Sequence, residues 1–229
     1  MGSYHSLLVD IGGTNLRYAY ANKKGISEEI ILSNISDQEI NKTLRSLLSD
    51  TQIKNTVIAA AGPRLGTKIE MTNRNVIVDG DSLGRKFKLV NSHVLNDWEA
   101  VGYAVDEMTL KKIKKGKSKS NVDLMIGPGT GLGFSIVTDG KVIPTEIGNT
   151  KLHSKLLLKN LGIKPSKNFL VLEDVISGPS ISRAYQSRYK KKLSPEEIVL
   201  LAKKRNPKAK FTIYGFVAVS YTHLRAHET

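Results

Sequence analysis

Two glycine-rich stretches are the parts of this sequence best suited to binding phosphate. They read IGGTN at residues 11–15 and GPGTGLG at residues 127–133. Because glycine has no side chain, backbone N–H groups in such turns can approach a phosphate closely, and two facing turns would grip a polyphosphate from both sides. Glycine pairs are also common in plain hairpin turns, so a purely structural role stays open for either stretch alone.

The second stretch also contains GTGLG, which is close to the glycine pattern of dinucleotide-binding folds. That pattern must be followed by a helix, whereas the residues after Gly133 alternate like a strand. The sequence therefore argues against a dinucleotide-binding turn.

Four carboxylates accompany these stretches. Asp10 directly precedes the first stretch, where it could reach a nucleotide-bound Mg²⁺ through water or simply stabilise the turn. Asp97 lies between a predicted strand and a predicted helix, which suits either a base that takes a proton from a hydroxyl or a helix N-cap. Glu146 and Glu173 are ordinary when taken singly, and they gain meaning only if the ligand is a sugar with several hydroxyls.

The elements around both glycine stretches follow the same order. Residues 7–10, LRYAYA and ISEEIILS predict a three-strand meander around the first stretch. VDLMIGPGTGLGFSIVTDGKVI predicts strand, glycine turn, strand, Asp-Gly turn and strand around the second. The chain therefore contains a duplicated supersecondary unit, with one glycine hairpin in each copy, within an α/β fold.

Helices are predicted between and after these meanders. A helix capped by Ser36 or Asp37 carries apolar residues at helical spacing, and the buried strand NTVIAAAG follows it. A further strand ends near Leu95, and a helix opens at Asn96 or Asp97. Residues EDVISGPSISRAYQSRY and SPEEIVLLAKKR predict two more helices, the second capped by Ser194.

Composition narrows the class of protein. The chain has 229 residues, 40% of them hydrophobic, and no cysteine, which fits a reducing compartment and predicts a cytoplasmic protein. No apolar run approaches membrane-spanning length, so no membrane partner is expected. The net charge of +14 is dispersed, and its densest block, residues 111–119, has no interleaved aromatic residue. A solvated lysine-rich loop is therefore predicted in preference to a nucleic-acid site.

An ordered set of motifs resembles the bacterial glucokinase family of the actin-like sugar kinase superfamily. The motifs are DIGGTNLR, MTNRN, LNDWEA, GPGTGLG, IPTEIGN and EDVISGPS, and the resemblance covers roughly residues 6–218. It implies a ribonuclease-H-like, actin-like ATPase fold with two domains, each built from a three-strand meander and helices. It also implies transfer of the γ-phosphoryl group from ATP, with Mg²⁺, to the 6-hydroxyl of D-glucose at the entry to glycolysis.

The resemblance implies a role for each matching position. It assigns nucleotide phosphates to Asp10, Ile11, Gly12, Gly13, Thr14, Gly127, Gly129, Thr130 and Gly131, with Asp10 also facing Mg²⁺ through water. It assigns the catalytic base to Asp97, and sugar contacts to Asn73, Asn96, Asp97, Glu146, Asn149 and Glu173.

Two departures from the family pattern keep alternatives open. Asn149 stands where the family usually has a histidine, and the aliphatic run 76–78 replaces an aromatic residue expected after MTN. Asparagine still bonds a hydroxyl, but another hexose kinase of the same fold remains an alternative. A non-catalytic sugar-binding relative is the other alternative. The related repressor and sugar kinase family typically has a cysteine-rich zinc motif, which this sequence lacks.

The last residues, SYTHLRAHET, have no counterpart in the family pattern. We expect a small N-terminal domain at 1–110, an incomplete large domain at 111–219 and a non-native tail at 220–229, so that this chain would be a truncated kinase with little activity. A metal site from His223 and His227 is the weaker reading of the same residues. A homodimer of the complete protein is left open.

Overall fold

The computed structural model describes residues 4–111, 121–151 and 155–225, with side chains described for 4–111, 121–151 and 157–220. Contacts divide the chain into two compact units. The first unit comprises Met1–Met125 and Ser135–Thr145, and the second comprises Ile126–Phe134 and Glu146–Thr229. This division does not coincide with the boundary expected near residue 110, which stays a prediction about domains.

Parts of the sequence predictions lie outside the described residues. Apart from Lys111, the lysine-rich block cannot be compared with the structure, and the same holds for the side chains of the expected non-native tail beyond Ser220.

A mixed sheet forms the centre of the first unit. Its strands are β1 (Ser6–Ile11), β2 (Asn15–Asn22), β3 (Gly25–Ile26), β4 (Ile30–Ser33), β5 (Asn55–Ala60) and β9 (Asn91–Asn96). The order is β3-β2-β1-β5-β9, and β4 also pairs with β2. Strands β1, β5 and β9 are parallel, so their carboxyl ends lie at one edge of the sheet.

The alternation of apolar residues explains the first hairpin. Leu7, Val9 and Ile11 of β1 are buried, as period-2 alternation requires.

The prediction of a continuous third strand in the first meander is wrong. The strand is interrupted, and its two parts, β3 and β4, pair with opposite ends of β2. The segment between them, residues 27–29, belongs to neither strand, and its two glutamates are exposed.

The described residues of the first unit also include the α-helices α1 (Asp37–Leu48), α2 (Gly80–Phe87) and α3 (Asp97–Ala104). As predicted, α1 is capped by Ser36, which forms a capping box with Glu39. A small antiparallel sheet of β6 (Arg64–Leu65), β7 (Lys68–Glu70) and β8 (Ile77–Asp79) lies between β5 and α2 in the chain. Neither this sheet nor α2 was predicted.

The second meander is confirmed as β10 (Val122–Pro128), β11 (Leu132–Thr138) and β12 (Lys141–Pro144). Asp139 and Gly140 have φ values of 49° and 72°, the left-handed geometry of a tight hairpin turn. β10 and β11 each begin in one unit and end in the other.

Besides the strand ends, the described residues of the second unit form helices joined by loops. Its helices are α4 (Lys155–Asn160), α5 (Gly178–Tyr189), α6 (Pro195–Lys203) and α7 (Pro207–Arg225). The helix predicted from Glu173 begins only at Gly178, because Ser177 caps it and Pro179 occupies its first turn; residues 172–174 form a separate 3-10 turn. None of the helices in the described ranges is both long enough and apolar enough to cross a bilayer.

Candidate functional site

The first glycine turn connects β1 to β2 at the carboxyl edge of the first unit's sheet. The N–H of Gly12 donates to the carbonyl of Asn15 at 2.9 Å, which closes the turn. On the other side, Nε of Arg74 donates to the carbonyl oxygens of Gly12 and Gly13 at 3.2 and 3.1 Å. The N–H groups of Gly13 and Thr14 have no hydrogen-bond partner in the part of the chain that the structure describes.

Asp10 lies opposite Arg17 in the register of β1 and β2. Nη1 of Arg17 donates to Oδ2 of Asp10 at 2.9 Å, and Nε of Arg17 lies 3.8 Å from Oε1 of Glu29. Both side chains of the Asp10–Arg17 pair are 42% exposed, so solvent screens much of its attraction. Arg17 orients the carboxylate through Oδ2, and Oδ1 of Asp10 has no hydrogen-bond partner among the described residues.

Asp97 is the first residue of α3 and follows directly on β9. Its Oδ1 accepts a hydrogen bond of 2.9 Å from the N–H of Trp98. Burial raises the pKa of the Asp97 carboxyl above its ordinary value, the negative charge of Asp10 adds to the rise, and the bond from Trp98 partly offsets it. A carboxylate with a raised pKa is a better proton acceptor than an ordinary one.

Asn96, not Asp97, caps α3. Its side-chain oxygen accepts from the N–H groups of Trp98 and Glu99 at 2.9 and 3.3 Å, and its amide donates to the carbonyl of Gly62 at 2.9 Å. The alternative that Asp97 is the N-cap is therefore wrong. Asn96 is only 4% exposed, and these bonds occupy both ends of its amide, so its predicted sugar contact stays a prediction.

An ion pair between buried Glu99 and the partly exposed Arg64 supports this helix start. Glu99 is 1% exposed, its Oε2 accepts from the N–H of Asn96, and its Oε1 lies 2.9 Å from Nη2 of Arg64. A buried carboxylate without such partners would be strongly unfavourable. The two glutamate oxygens thus fix the turn from which Asp97 projects.

In the second unit, Glu173 contacts the second glycine turn. Its Oε2 accepts a hydrogen bond of 2.9 Å from the N–H of Leu132, and a Cβ at Gly131 would clash with the same oxygen. The carbonyl of Gly129 accepts from the N–H of Gly178 at 2.8 Å, which ties the turn to the start of α5. A side chain at position 131 would therefore displace this carboxylate from the turn.

The other predicted sugar residues are exposed. Nδ2 of Asn149 donates to Oε2 of Glu146 at 3.2 Å, so these two side chains form one polar group in the second unit. Asn73 lies at the exposed turn between β7 and β8 in the first unit. These positions suit contacts with a hydrophilic ligand, and their binding role stays a prediction.

The residues missed from the sequence are the three arginines 17, 64 and 74. Each forms a hydrogen bond or ion pair with a predicted site residue or with a residue close to one, and no local sequence pattern indicated these contacts. Two of them carried a signal, because Arg17 lies inside the motif DIGGTNLR and Arg74 inside MTNRN, whereas Arg64 lies in none of the motifs.

The donors present fit a magnesium ion that arrives with a nucleotide. No three His, Cys, Asp or Glu side chains of the described ranges cluster in a way that would hold a metal by themselves. Mg²⁺ commonly takes its ligands from phosphates and water, with one or two carboxylates. Asp10, with one oxygen bonded to Arg17 and the other available, meets that requirement.

The fold is that of the actin-like sugar kinases. A glucokinase from an Antarctic psychrotroph superposes with a TM-score of 0.68 at 26% identity, covering 92% of this chain and 74% of that one. A ROK family glucokinase from Streptomyces griseus, solved in complex with glucose and AMPPNP, gives a TM-score of 0.61 at 15% identity, covering 93% and 76%.

The sequence comparison identifies the family. The model of the family described as Glucokinase matches residues 7–222, and the chain belongs to this family. A curated glucokinase from Neisseria meningitidis serogroup C is 27% identical over 140 residues, or 58% of this chain. That match spans 43% of the relative's length, which is less than half.

Proposed function

We propose that the complete protein is an ATP-dependent glucokinase, which converts D-glucose to glucose 6-phosphate at the first step of glycolysis, in the cytoplasm. The observation that carries the proposal is the position of Asp97. It projects from a turn fixed by Asn96 and Glu99, with a raised pKa, in the same unit and at the same sheet edge as the first glycine turn. Family membership supplies the reaction class.

In the proposed reaction, Asp97 takes the proton of the sugar 6-hydroxyl as that oxygen attacks the γ-phosphorus of ATP. A new O–P bond forms, the bond between the γ-phosphorus and the bridging oxygen breaks, and ADP leaves. The N–H groups of Gly13 and Thr14, which have no partner among the described residues, offset charge on the phosphates, as positioned backbone donors do in phosphoryl transfer. Mg²⁺, when bound, neutralises part of the same charge.

Use of ATP is supported by the likeness to the Streptomyces griseus glucokinase, which was solved with the ATP analogue AMPPNP. We propose that Gly127, Gly129, Thr130 and Gly131 contribute the second phosphate-binding turn. We propose that Asp10 acts on Mg²⁺ through water, because one of its oxygens is held by Arg17.

The sugar hydroxyls require several acceptors, and we assign them to Asn73, Glu146, Asn149 and Glu173, with Asn96 orienting Asp97. Glu146 and Asn149 would bind as a pair, since their side chains are already bonded to each other. Glu173 would offer Oε1, because its Oε2 is occupied by the N–H of Leu132.

The second candidate is a kinase for another hexose, and the observation that favours it is Asn149 in place of the family's usual histidine. A coupled assay of ADP release with glucose, mannose, fructose and N-acetylated hexoses separates the two. We expect glucose to give the highest kcat/KM, and a clear preference for another sugar would replace glucokinase with that activity.

A non-catalytic sugar-binding relative would give sugar binding without ADP release. The presence of Asp97 and of both glycine turns supports a catalytic protein over a non-catalytic one. The assay is run on this chain and on the full-length protein from the source genome, because the activity is proposed for the whole protein. Sugar and ATP are the proposed partners, nucleic acid and membrane are not, and a homodimer stays a prediction.

A further inference from the structure

Arg74 connects three separate segments of the first unit. Its Nε bonds the carbonyl oxygens of Gly12 and Gly13, and its Nη1 bonds the carbonyl of Ile35 at 2.8 Å and Oδ1 of Asp37 at 3.0 Å. The side chain is only 9% exposed, although it carries a charge. A buried guanidinium with a carboxylate partner and three carbonyl acceptors is fixed in place.

The peptide groups of the glycine turn are oriented by these bonds. In a trans peptide the C=O and the following N–H point in opposite directions, and no described peptide bond is cis. Because the carbonyls of Gly12 and Gly13 point towards Arg74, the N–H groups of Gly13 and Thr14 point away from it. A Cβ built at Gly13 would meet nothing within 4 Å, so the turn is not covered by protein atoms in that direction.

Because the turn contains two adjacent glycines, it needs the bonds from Arg74 to hold one conformation. Two adjacent glycines lose more conformational freedom on ordering than any other pair, so a free Gly-Gly turn would present its N–H groups in many directions. An anion bound by such a turn would have to supply the ordering free energy itself. The bonds from Arg74 to the carbonyl oxygens order the turn in advance, without contacting the ligand.

We propose that Arg74 is a positioning residue for polyphosphate binding: it holds the first glycine turn with the N–H groups of Gly13 and Thr14 aligned as anion donors. This inference rests on the proposed function, because it assigns the turn to ATP phosphates. Arg74 contributes to binding through the arrangement of its hydrogen bonds and not through its charge alone. Lysine keeps the charge, but its single ammonium lacks the planar fork that reaches Gly12, Gly13, Ile35 and Asp37 together.

The test is isothermal titration of this chain with Mg²⁺-AMPPNP and with inorganic tripolyphosphate. The variants are Arg74→Lys and Arg74→Met, and Arg85→Met is the matched control, since Arg85 is exposed on α2 and its loss removes the same charge. We expect both Arg74 variants to weaken binding of both probes about tenfold, as for loss of aligned donors to an anion, with Arg85→Met unchanged. Glucose titrations should stay at the wild-type value in all variants.

Amide hydrogen exchange gives a second readout, which also serves if Arg74→Met does not fold. In Arg74→Lys, exchange at Gly13 and Thr14 should respond less to added tripolyphosphate than in the wild type. Wild-type affinity in Arg74→Lys combined with a loss in Arg74→Met would show that charge alone matters and would overturn the inference. Wild-type affinity in both variants would also overturn it while leaving the proposed function standing. Failure of the wild-type chain to bind either probe would remove the inference together with the proposed role of the turn.

Discussion

Glu173 and Leu132 are joined by a hydrogen bond of 2.9 Å from the backbone N–H of Leu132 to Oε2 of the carboxylate. One side chain of the second unit thus fixes a glycine turn with one oxygen and keeps the other for a ligand. In the proposed enzyme, this carboxylate would serve the sugar and the second phosphate turn at the same time.

Replacing Glu173 should therefore have two separable effects. Glu173→Gln keeps an oxygen for Leu132 and loses only the charge, whereas Glu173→Ala loses both. We expect both variants to weaken glucose binding by about 1–3 kcal/mol in isothermal titration, and only Glu173→Ala to lower the thermal unfolding midpoint of the chain. Glu146→Ala is the control, because that side chain is exposed; it should weaken glucose binding without changing the unfolding midpoint. Unchanged glucose affinities for all three variants would show that glucose does not bind at Glu173 and Glu146.

Gly131 and Gly129 form a matched pair in the second glycine turn. A Cβ at Gly131 would clash with Oε2 of Glu173, whereas a Cβ at Gly129 would meet nothing within 4 Å. Gly131→Ala should displace the Glu173 carboxylate and weaken glucose binding about tenfold, as expected for loss of a bond to a charged acceptor. Gly129→Ala should bind glucose as the wild type does. Equal glucose affinities in the two variants would show that Glu173 does not contact the sugar.

Stability of the first unit depends on close packing at Gly102. A Cβ there would lie 2.6 Å from Cγ1 of Val142 and 3.1 Å from Oγ of Ser135. Gly102→Ala should lower the free energy of unfolding by about 1–3 kcal/mol through overpacking. The control is Gly84→Ala in α2, where the nearest atom to the new Cβ is 3.4 Å away, an ordinary contact. That change should stabilise the protein by about 0.5–1 kcal/mol, because alanine is favoured over glycine in a helix.

The charge of Asp97 opposes folding. Its pKa is raised in the folded state, so the folded protein keeps this proton to a higher pH than the unfolded chain does. The free energy of unfolding therefore falls as the pH rises from the ordinary aspartate pKa through the raised value, and it stays lower above that window. Asp97→Asn should raise the calorimetric unfolding midpoint at pH 7, and the gain should vanish near about pH 3, where the wild-type carboxyl is protonated in both states. Asp106→Asn, at an exposed position, should show no such gain.

Local sequence signals predicted much of the fold. The two meanders follow from glycine turns between alternating apolar residues, and α1 and α6 begin at serines that form capping boxes with the glutamate three residues on. These patterns act within a few residues, so one sequence is enough to reveal them. The split of the third strand was missed because the acidic residues 28–29 interrupt a run whose two ends both read as strand.

Long-range partnerships could not be predicted. Arg74 is 62 residues from Gly12, and Arg64 on β6 contacts Glu99 on α3. Nothing in the spacing of either arginine indicates its acceptor, since the contact exists only when the sheet has formed. The same holds for Asn96, whose type predicted a cap but whose bond to Gly62 requires the parallel pairing of β5 and β9.

The central claim is that Asp97 takes the proton from the sugar hydroxyl. Its most direct test is kcat for glucose phosphorylation by the full-length Asp97→Asn variant, with Asp106→Asn as the matched control and glucose affinity measured in parallel. We predict that Asp97→Asn lowers kcat by about 10²-fold or more, as loss of a general base does, with glucose affinity little changed and Asp106→Asn active. A kcat close to wild type in Asp97→Asn would contradict the account and reduce Asp97 to the first residue of α3.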